Sequence, residues 1–143
     1  MKDDKKIYAV IDTNVLVSSL FSTNNISNPF KVISAVLNGV ITPLYNDEII
    51  EEYRDVLSRD KFKFNPVLIN NLISGFTEFG INKKKKKTKD EIFPDNDDIV
   101  FYEITMSVEN AYLVTGNTKH FPIKPFVITP AQMVDILQER GLL

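Results

Sequence analysis

Four positions in this chain could bring oxygen atoms to one reactive site: Asp12, Glu52, the Asp95–Asp98 cluster and Asn117. Asp12 directly follows the apolar run 7–11, and Asn117 follows the apolar run 111–114 after a Thr-Gly step. Short apolar runs are typical of buried strands in parallel sheets, which bind ligands just beyond the carboxyl ends of their strands. Carboxylates in a chain with no Cys and one His favour a hard cation, Mg²⁺ or Mn²⁺.

Asp12 and Glu52 each have a plain structural interpretation beside the functional one. A carboxylate at the end of a core strand is costly to desolvate unless it is paired or bound to a metal, but Asp is also a common helix N-cap. Glu52 flanks the apolar stripe of its helix, whereas Glu51 and Asp55 should face solvent. Glu52 could therefore reach a cleft beside the core, or it could be a boundary residue with a solvated tip.

A second acidic group, Asp95-Asn96-Asp97-Asp98, precedes a predicted apolar helix. Acids are favoured at helix N-termini, so one or two of these side chains are expected to cap the helix. Three are more than capping requires, and Asp98 is best placed to point inward. Glu103, one turn later, is expected to be buried as a supporting or neutralised acid.

The second strand end and the single histidine are harder to interpret. Thr115-Gly116-Asn117 could ligate or orient a metal-bound water, or it could be a tight turn. His120 is expected to be a structural hydrogen-bonding residue and not a catalytic base.

A net charge of −2 argues against a uniformly basic nucleic-acid binder, but the cations are concentrated. A basic block beside an acidic pocket suits a polyanionic substrate that needs a cation at the chemistry. The block is either a solvated loop or a set of phosphate contacts. Phe21, Tyr45 or Phe93 could stack on bases, although core packing is the simpler expectation for each. The block consists of Lys83, Lys84, Lys85, Lys86 and Lys87.

The elements that would position these residues alternate between strand and helix. Asn28 is predicted to cap the second helix, with Pro29 at its first position, and Asn46 and Asn65 to cap the next two. The Lys-rich stretch is predicted to be a loop or a weak edge strand. This order predicts a three-layer α/β/α sandwich around a mainly parallel, twisted sheet of four to five strands. Predicted strands are 7–11, 40–44, 111–115 and 125–128; predicted helices are 13–21, 29–38, 47–59, 66–79, 96–109 and 130–140.

Length and composition limit the remaining possibilities. The 143 residues fit one domain over 1–143, and the absence of Cys excludes disulfides and thiolate sites. No signal peptide or membrane span is visible, so a cytoplasmic location is expected. The usual nucleotide-binding and serine-hydrolase motifs are also missing.

Four segments occur in an order that resembles the PIN domain family, the fold of toxin ribonucleases in bacterial and archaeal toxin–antitoxin pairs. The resemblance covers nearly the whole chain. It is strongest with the branch that contains proposed toxin components, which shares the Glu-Tyr helix and the Thr-Gly-Asn-x-x-His-Phe pattern. The four segments are 11–16, 51–57, 95–98 and 113–117.

The resemblance implies roles for individual residues. Asp12, Glu52 and Asp98 match the three acids of the family's metal site, and Asn117 matches a fourth position that is often Asp. This departure removes one negative charge and favours one bound metal over two. Helper residues implied by the resemblance are Thr13 or Asn14 and Thr115, with Asp95 and Asp97 as alternative or supporting acids.

The expected function is a Mg²⁺- or Mn²⁺-dependent endoribonuclease that cleaves single-stranded RNA to 5′-phosphate and 3′-hydroxyl ends. The resemblance also implies a cognate antitoxin protein as a partner and a homodimer. The alternative is a weakly active or inactive PIN domain that binds RNA or a partner protein. A phosphotransfer domain is disfavoured, because Asp12-Thr13-Asn14 lacks the second acid of the Asp-x-Asp phosphatase pattern.

Overall fold

The described part of the chain forms a five-stranded, wholly parallel sheet in the computed structural model. It comprises residues 6–22, 26–87, 91, 93 and 96–143. The strands are β1 (Ile7–Ile11), β2 (Ile41–Tyr45), β3 (Ile81–Asn82), β4 (Tyr112–Val114) and β5 (Val127–Ile128). Their spatial order is β3-β2-β1-β4-β5, with β1 in the centre.

Helices cover both faces of this sheet. The connections from β1 to β2 and from β2 to β3 step one way, and the connection from β3 to β4 steps back. Right-handed crossovers that run in opposite directions place their helices on opposite faces of the sheet. Helix α5, in the connection from β3 to β4, packs across β1, β2 and β4. The expected three-layer α/β/α sandwich is therefore confirmed. The helices are α1 (Thr13–Phe21), α2 (Asn28–Leu37), α3 (Asp47–Leu57), α4 (Pro66–Phe79), α5 (Ile99–Met106) and α6 (Pro130–Glu139).

The central strand β1 explains why the core forms where it does. Its apolar side chains point alternately to the two faces of the sheet, and four of the five are fully buried. Parallel strands that are covered on both faces have continuous apolar sequences. The register places Ile7 opposite Ile41 of β2 and Ile11 opposite Val114 of β4. The carboxyl ends of β1 and β4 are thereby held side by side.

Side-chain caps set most helix starts, and one prediction about them was wrong. Asn46 and Asn65 cap α3 and α4 as predicted, each accepting a backbone N–H hydrogen bond. Helix α2 is capped by Ser27, not by Asn28, because the Ser27 hydroxyl accepts from the Phe30 N–H. Asn28 is therefore the first helical residue, and Pro29 lies at the second position.

The helix predicted over 96–109 is shorter and begins differently. A single 3₁₀ turn over Asn96–Asp98 leads into α5, which ends at Met106. The Ser107 N–H and hydroxyl both bond to the Ile104 carbonyl, which tightens the last turn, and Asn110 adopts a positive φ of 65°. The strands and helices elsewhere end within three residues of their predicted bounds. None of the helices in the described residues is long and apolar enough to cross a membrane.

Candidate functional site

The predicted strand-end residues meet where the strand order reverses. Asp12 follows β1, and Thr115 follows its neighbour β4; the Asp12 N–H donates to the Val114 carbonyl over 2.9 Å. From β1 the chain proceeds first to β2 on one side and later to β4 on the other. Such a switch point opens a crevice beyond the carboxyl ends of the two strands, where α/β proteins bind ligands.

The Asp12 carboxylate serves both as a helix cap and as the centre of a polar network. Its Oδ1 accepts a 2.8 Å hydrogen bond from the Thr13 N–H at the start of α1. Its Oδ2 accepts from the Thr115 hydroxyl at 2.8 Å and from the Asn14 amide at 3.3 Å. The helix-cap interpretation of Asp12 is therefore confirmed, and the metal-ligand interpretation stays a prediction.

A second set of hydrogen bonds joins the segments after β1 and β4. The side-chain Oδ1 of Asn14 accepts from the Gly116 N–H at 3.0 Å, and the Thr115 hydroxyl accepts from the Asn117 N–H at 3.0 Å. A Cβ at Gly116 would lie 3.3 Å from that Asn14 oxygen, closer than most such contacts. Gly116 thus permits the close approach that locks Asn14 and Thr115 around Asp12.

Helix α3 is fixed against the end of β1 by Tyr53, a role that the sequence reasoning missed. The fully buried Tyr53 hydroxyl donates a 2.5 Å hydrogen bond to the carbonyl of Ile11, the residue before Asp12. Burial, followed by the charges of Asp12 and Glu52, raises the Tyr53 pKa well above its ordinary value. The Tyr53 hydrogen bond therefore fixes α3, which carries Glu52, against the strand end that precedes Asp12.

Glu52 is half-buried, whereas Glu51 and Asp55 are exposed, as predicted from the helix periodicity. Burial raises the Glu52 pKa above its ordinary value, and the charges of Asp97, Asp12 and Asp55 raise it further. The Arg59 guanidinium acts in the opposite direction. Carboxylates from three separate parts of the fold therefore influence one another at this edge of the sheet.

Desolvation also affects the pKa of the Asp12 carboxyl, because Asp12 is only 7% exposed. Burial raises the Asp12 pKa, while the hydrogen bonds from Thr115 and Thr13 and the nearby His120 lower it. The net direction is upward, so the hydrogen bonds and His120 only partly offset the desolvation of the charge.

His120 lies within the site and links two of the predicted site residues. Its Nδ1 is 3.5 Å from Asp98 Oδ2, and its Nε2 is 2.9 Å from the Asn117 amide nitrogen. In the tautomer that accepts from Asn117, Nδ1 carries the proton and faces the half-buried Asp98. The sequence pattern did not indicate that Asp98 is a neighbour of His120, and the structural role of His120 stays a prediction.

The acidic side chains are close enough to affect the Glu52 pKa, but those that the structure describes are not arranged as a set of metal ligands. Among residues 6–22, 26–87, 91, 93 and 96–143, no three His, Asp or Glu side chains are arranged to hold a metal ion. Asp95 lies outside the described residues. Asp97 is exposed, and Glu103 is buried as predicted. The ligand set Asp12, Glu52 and Asp98 stays a prediction.

One further oxygen beside Asp12 is relevant to a cation. The Thr13 Oγ1 is buried and has no hydrogen-bond partner within the described part of the protein. A buried hydroxyl without a partner is costly, and a water or cation in the crevice could supply one.

The basic block runs along the same edge of the sheet as the acids. Ile81–Asn82 form the short edge strand β3, and the following residues have no regular structure. The Lys83 N–H donates to the Tyr45 carbonyl, and the Lys86 N–H donates to the Glu103 carbonyl. The Lys85 ammonium is 3.1 Å from Glu48, at the start of α3. Lys84 to Lys87 are exposed and Lys83 is half-buried.

Two of the three aromatic residues considered for base stacking pack in the interior. Tyr45 is buried and donates to the Thr77 carbonyl, and Phe93 packs against Tyr102 and Phe121. Phe21 is 54% exposed. Of these three rings, Phe21 is the most exposed.

Comparison with known families matches residues 8–119 to the PIN domain. The matched segment begins in β1 and ends just beyond Asn117, so it contains Asp12, Glu52 and Asp98 as well. No curated protein and no solved structure matches the chain.

Proposed function

Because the chain belongs to the PIN domain family, whose members are generally nucleases, we propose that it is a metal-dependent endoribonuclease acting on single-stranded RNA. The observation that carries the proposal is the convergence of charge at the carboxyl edge. Burial raises the pKa of Glu52 on α3 most, and the charges of Asp97 before α5 and of Asp12 after β1 raise it further. Mutual repulsion of this kind favours a bound cation.

The side chains present fit Mg²⁺ or Mn²⁺. The donors are carboxylate, hydroxyl and amide oxygens, which hard cations prefer, and the chain has no Cys. Mg²⁺ commonly keeps several waters and uses only one or two carboxylates together with substrate phosphates. Asp12, Glu52 and Asp98 would hold the cation, and the Thr13 hydroxyl would contact its waters. Because Asn117 is neutral and bonded to His120, we favour one cation over two.

When bound, such a cation lowers the pKa of the attacking water and stabilises charge on the phosphodiester. Water adds to phosphorus and the P–O3′ bond breaks, leaving a 5′-phosphate and a protonated 3′-oxygen. The protein's own part is positioning. Thr115, Asn14 and the Thr13 N–H hold Asp12, and Tyr53 holds α3. The His120 ring lies 3.5 Å from Asp98. The lysine block beside α3 would attract the RNA backbone.

The test is a cleavage assay on single-stranded RNA after removal of all metal and readdition of Mn²⁺. We expect cleavage by the wild type, with 5′-phosphate ends, and a loss of at least about 100-fold in Asp12→Asn and Glu52→Gln, as for the removal of other charge-stabilising groups. Glu51→Gln is the matched control, because Glu51 is the exposed neighbour of Glu52 on the same helix. Equal rates for Asp12→Asn and the wild type would refute the proposal.

The neutral Asn117 favours a second candidate, a PIN domain that binds RNA with little or no cleavage. Its amide donates to His120, and it adds no negative charge to the cation site. This candidate predicts that the wild type binds single-stranded RNA but leaves it intact when Mn²⁺ is added.

We also propose, from the family resemblance, that the nuclease is the toxin of a toxin–antitoxin pair and forms a homodimer. Copurification with a small protein encoded beside it, and its inhibition of cleavage, would test the first part. Sedimentation of the purified protein would test the second.

A further inference from the structure

Three phenylalanine rings form a partly exposed cluster on the surface beside the site. Phe21 comes from the last turn of α1, and Phe62 and Phe64 come from the segment after α3. Phe62 and Phe64 stack with ring centroids 5.4 Å apart at 15°. Phe21 lies 5.6 Å from Phe62 and 5.0 Å from Phe64, tilted against both. With 54% of Phe21 exposed, an apolar ring stays open to solvent.

Cationic side chains alternate with these rings along the chain. Arg59, Lys61 and Lys63 are all exposed, and the Lys61 ammonium lies 5.1 Å from the centre of the Phe62 ring. Lys61 and Lys63 have no carboxylate within salt-bridge distance in the part of the chain that is described. Lys63 has a positive φ of 56°, a conformation that costs a lysine energy and that glycine would adopt more readily.

The cluster lies close to the carboxylates of the proposed site. Glu52, Asp55 and Arg59 follow at spacings of three and four residues, which places them along one face of α3 and its end. Arg59 bonds to Asp55, one turn after Glu52, over 3.3 Å. Phe21 and Asp12 lie at opposite ends of α1, about 13 Å apart at 1.5 Å per residue. A single strand of a few nucleotides spans that distance.

We propose that Phe21, with the Phe62–Phe64 stack behind it, is a platform on which an unpaired RNA base stacks, while Lys61 and Lys63 hold the flanking phosphates. Single-strand binding surfaces combine aromatic rings with a basic track in this way. Lysines are depleted in protein–protein interfaces, so their alternation with the rings favours a nucleic acid over a protein partner. This inference rests on the proposed function and deepens it by assigning where the substrate strand lies.

The test measures binding of a short fluorescent oligouridine by anisotropy in EDTA, so that no cleavage occurs. Phe21→Leu keeps an apolar side chain but removes the ring, and should weaken binding about 5- to 100-fold. Phe21→Tyr should bind close to wild type. Phe79→Leu is the matched control, because Phe79 is 46% exposed at the end of α4 and is not one of the three clustered rings.

The phosphate contacts have their own readout. Lys61→Ala and Lys63→Ala should each reduce the slope of log affinity against log salt by about 0.7. Lys6→Ala, which removes one charge at the amino edge of the sheet, should leave the slope unchanged. A duplex of uridine and adenosine strands should bind without dependence on Phe21, because its bases are already stacked.

Failure of this proposal can be told apart from failure of the proposed nuclease. Oligouridine affinity that is the same for Phe21→Leu and wild type, or no binding by wild type, would overturn the stacking platform even if Mn²⁺-dependent cleavage is observed. In that case the exposed Phe21 ring would be assigned to contact with a protein partner. Phe21-dependent binding without any cleavage would support the platform and overturn the nuclease.

Discussion

At the scale of single residues, Asp12 shows how a buried carboxylate can be kept in a fold at a cost in stability. Its two oxygens receive three hydrogen bonds, yet its pKa is still raised because burial outweighs them. A carboxylate left in this state gains most from a cation that neutralises it.

In metal-free protein, stability should fall as pH rises above the ordinary Asp12 pKa of 3.8. Between that value and the raised folded value, the native state binds more protons than the unfolded state, so the free energy of unfolding decreases with pH. Glu52 adds to the effect in the same direction. Urea unfolding of the wild type and Asp12→Asn in EDTA measures this; the Asn variant should show a shallower fall. Identical slopes would mean that Asp12 is not desolvated.

Thr115 should matter through its hydroxyl and not through its shape. Thr115→Val removes the donor to Asp12 and the acceptor for the Asn117 N–H, and should cost about 1–3 kcal/mol of stability. It should also raise the Asp12 pKa further, because the Thr115 hydrogen bond lowers it. NMR titration of the Asp12 carboxyl carbon measures this shift.

Thr115→Ser is the matched control, since it retains the hydroxyl and loses only a buried methyl group. Its Asp12 titration should stay near that of the wild type. If serine and valine shift the titration equally, the hydroxyl is not the relevant contact.

At the scale of elements, α3 links the two halves of the site. It carries Glu52, and the next residue, Tyr53, bonds to the end of β1. Tyr53→Phe leaves the ring in the core and removes that bond, so it should cost about 0.5–1.5 kcal/mol of unfolding free energy. It should also weaken Mn²⁺ binding about 10- to 100-fold, as expected when a group that orients a ligand is lost.

The variant Tyr45→Phe controls for the loss of a phenol hydroxyl, because Tyr45 is buried and bonds to a carbonyl on α4, away from Asp12. Calorimetry on both variants should show weaker Mn²⁺ binding only for Tyr53→Phe. Equal affinity for both would show that α3 is positioned without Tyr53.

The elements also show how far sequence reasoning reaches. The bounds of β1, α1 and α4 were predicted correctly. An apolar run defines β1, Asp12 caps α1, and the Asn65 cap, Pro66 and Gly80 delimit α4. Asp12 and Thr115 could be located because both end core strands. Local signals disagreed around Ser27 and Asn28, where two good capping residues are adjacent, and after Met106, where hydrogen bonds to the last turn end the helix early.

Two site residues could not be identified from local patterns. Tyr53 reads as an ordinary core residue in an apolar stripe, and its bond to Ile11 spans 42 positions. His120 lies near Asp98 only because the segments before α5 and after β4 meet at one sheet edge. Contacts of this kind depend on the assembled sheet and not on spacing along the chain.

At the scale of the whole molecule, charge is distributed in a way that the net value of −2 conceals. Helix α3 has a basic segment near each end: Lys85 contacts Glu48 at its start, and Arg59 follows its last turn. Glu52 lies between them. A polyanion would thus meet cations on both sides of a carboxylate cluster, an arrangement that suits a strand crossing the carboxyl edge of the sheet.

The most direct test of this account is calorimetric titration of Mn²⁺ into metal-free wild type, Glu52→Gln and Glu51→Gln. We expect one site in the wild type and in Glu51→Gln, and an affinity at least about tenfold weaker in Glu52→Gln. The two substitutions remove the same charge from adjacent positions of α3, so only direct participation at the site separates them. Equal binding by all three proteins, or no binding by the wild type, would contradict the account.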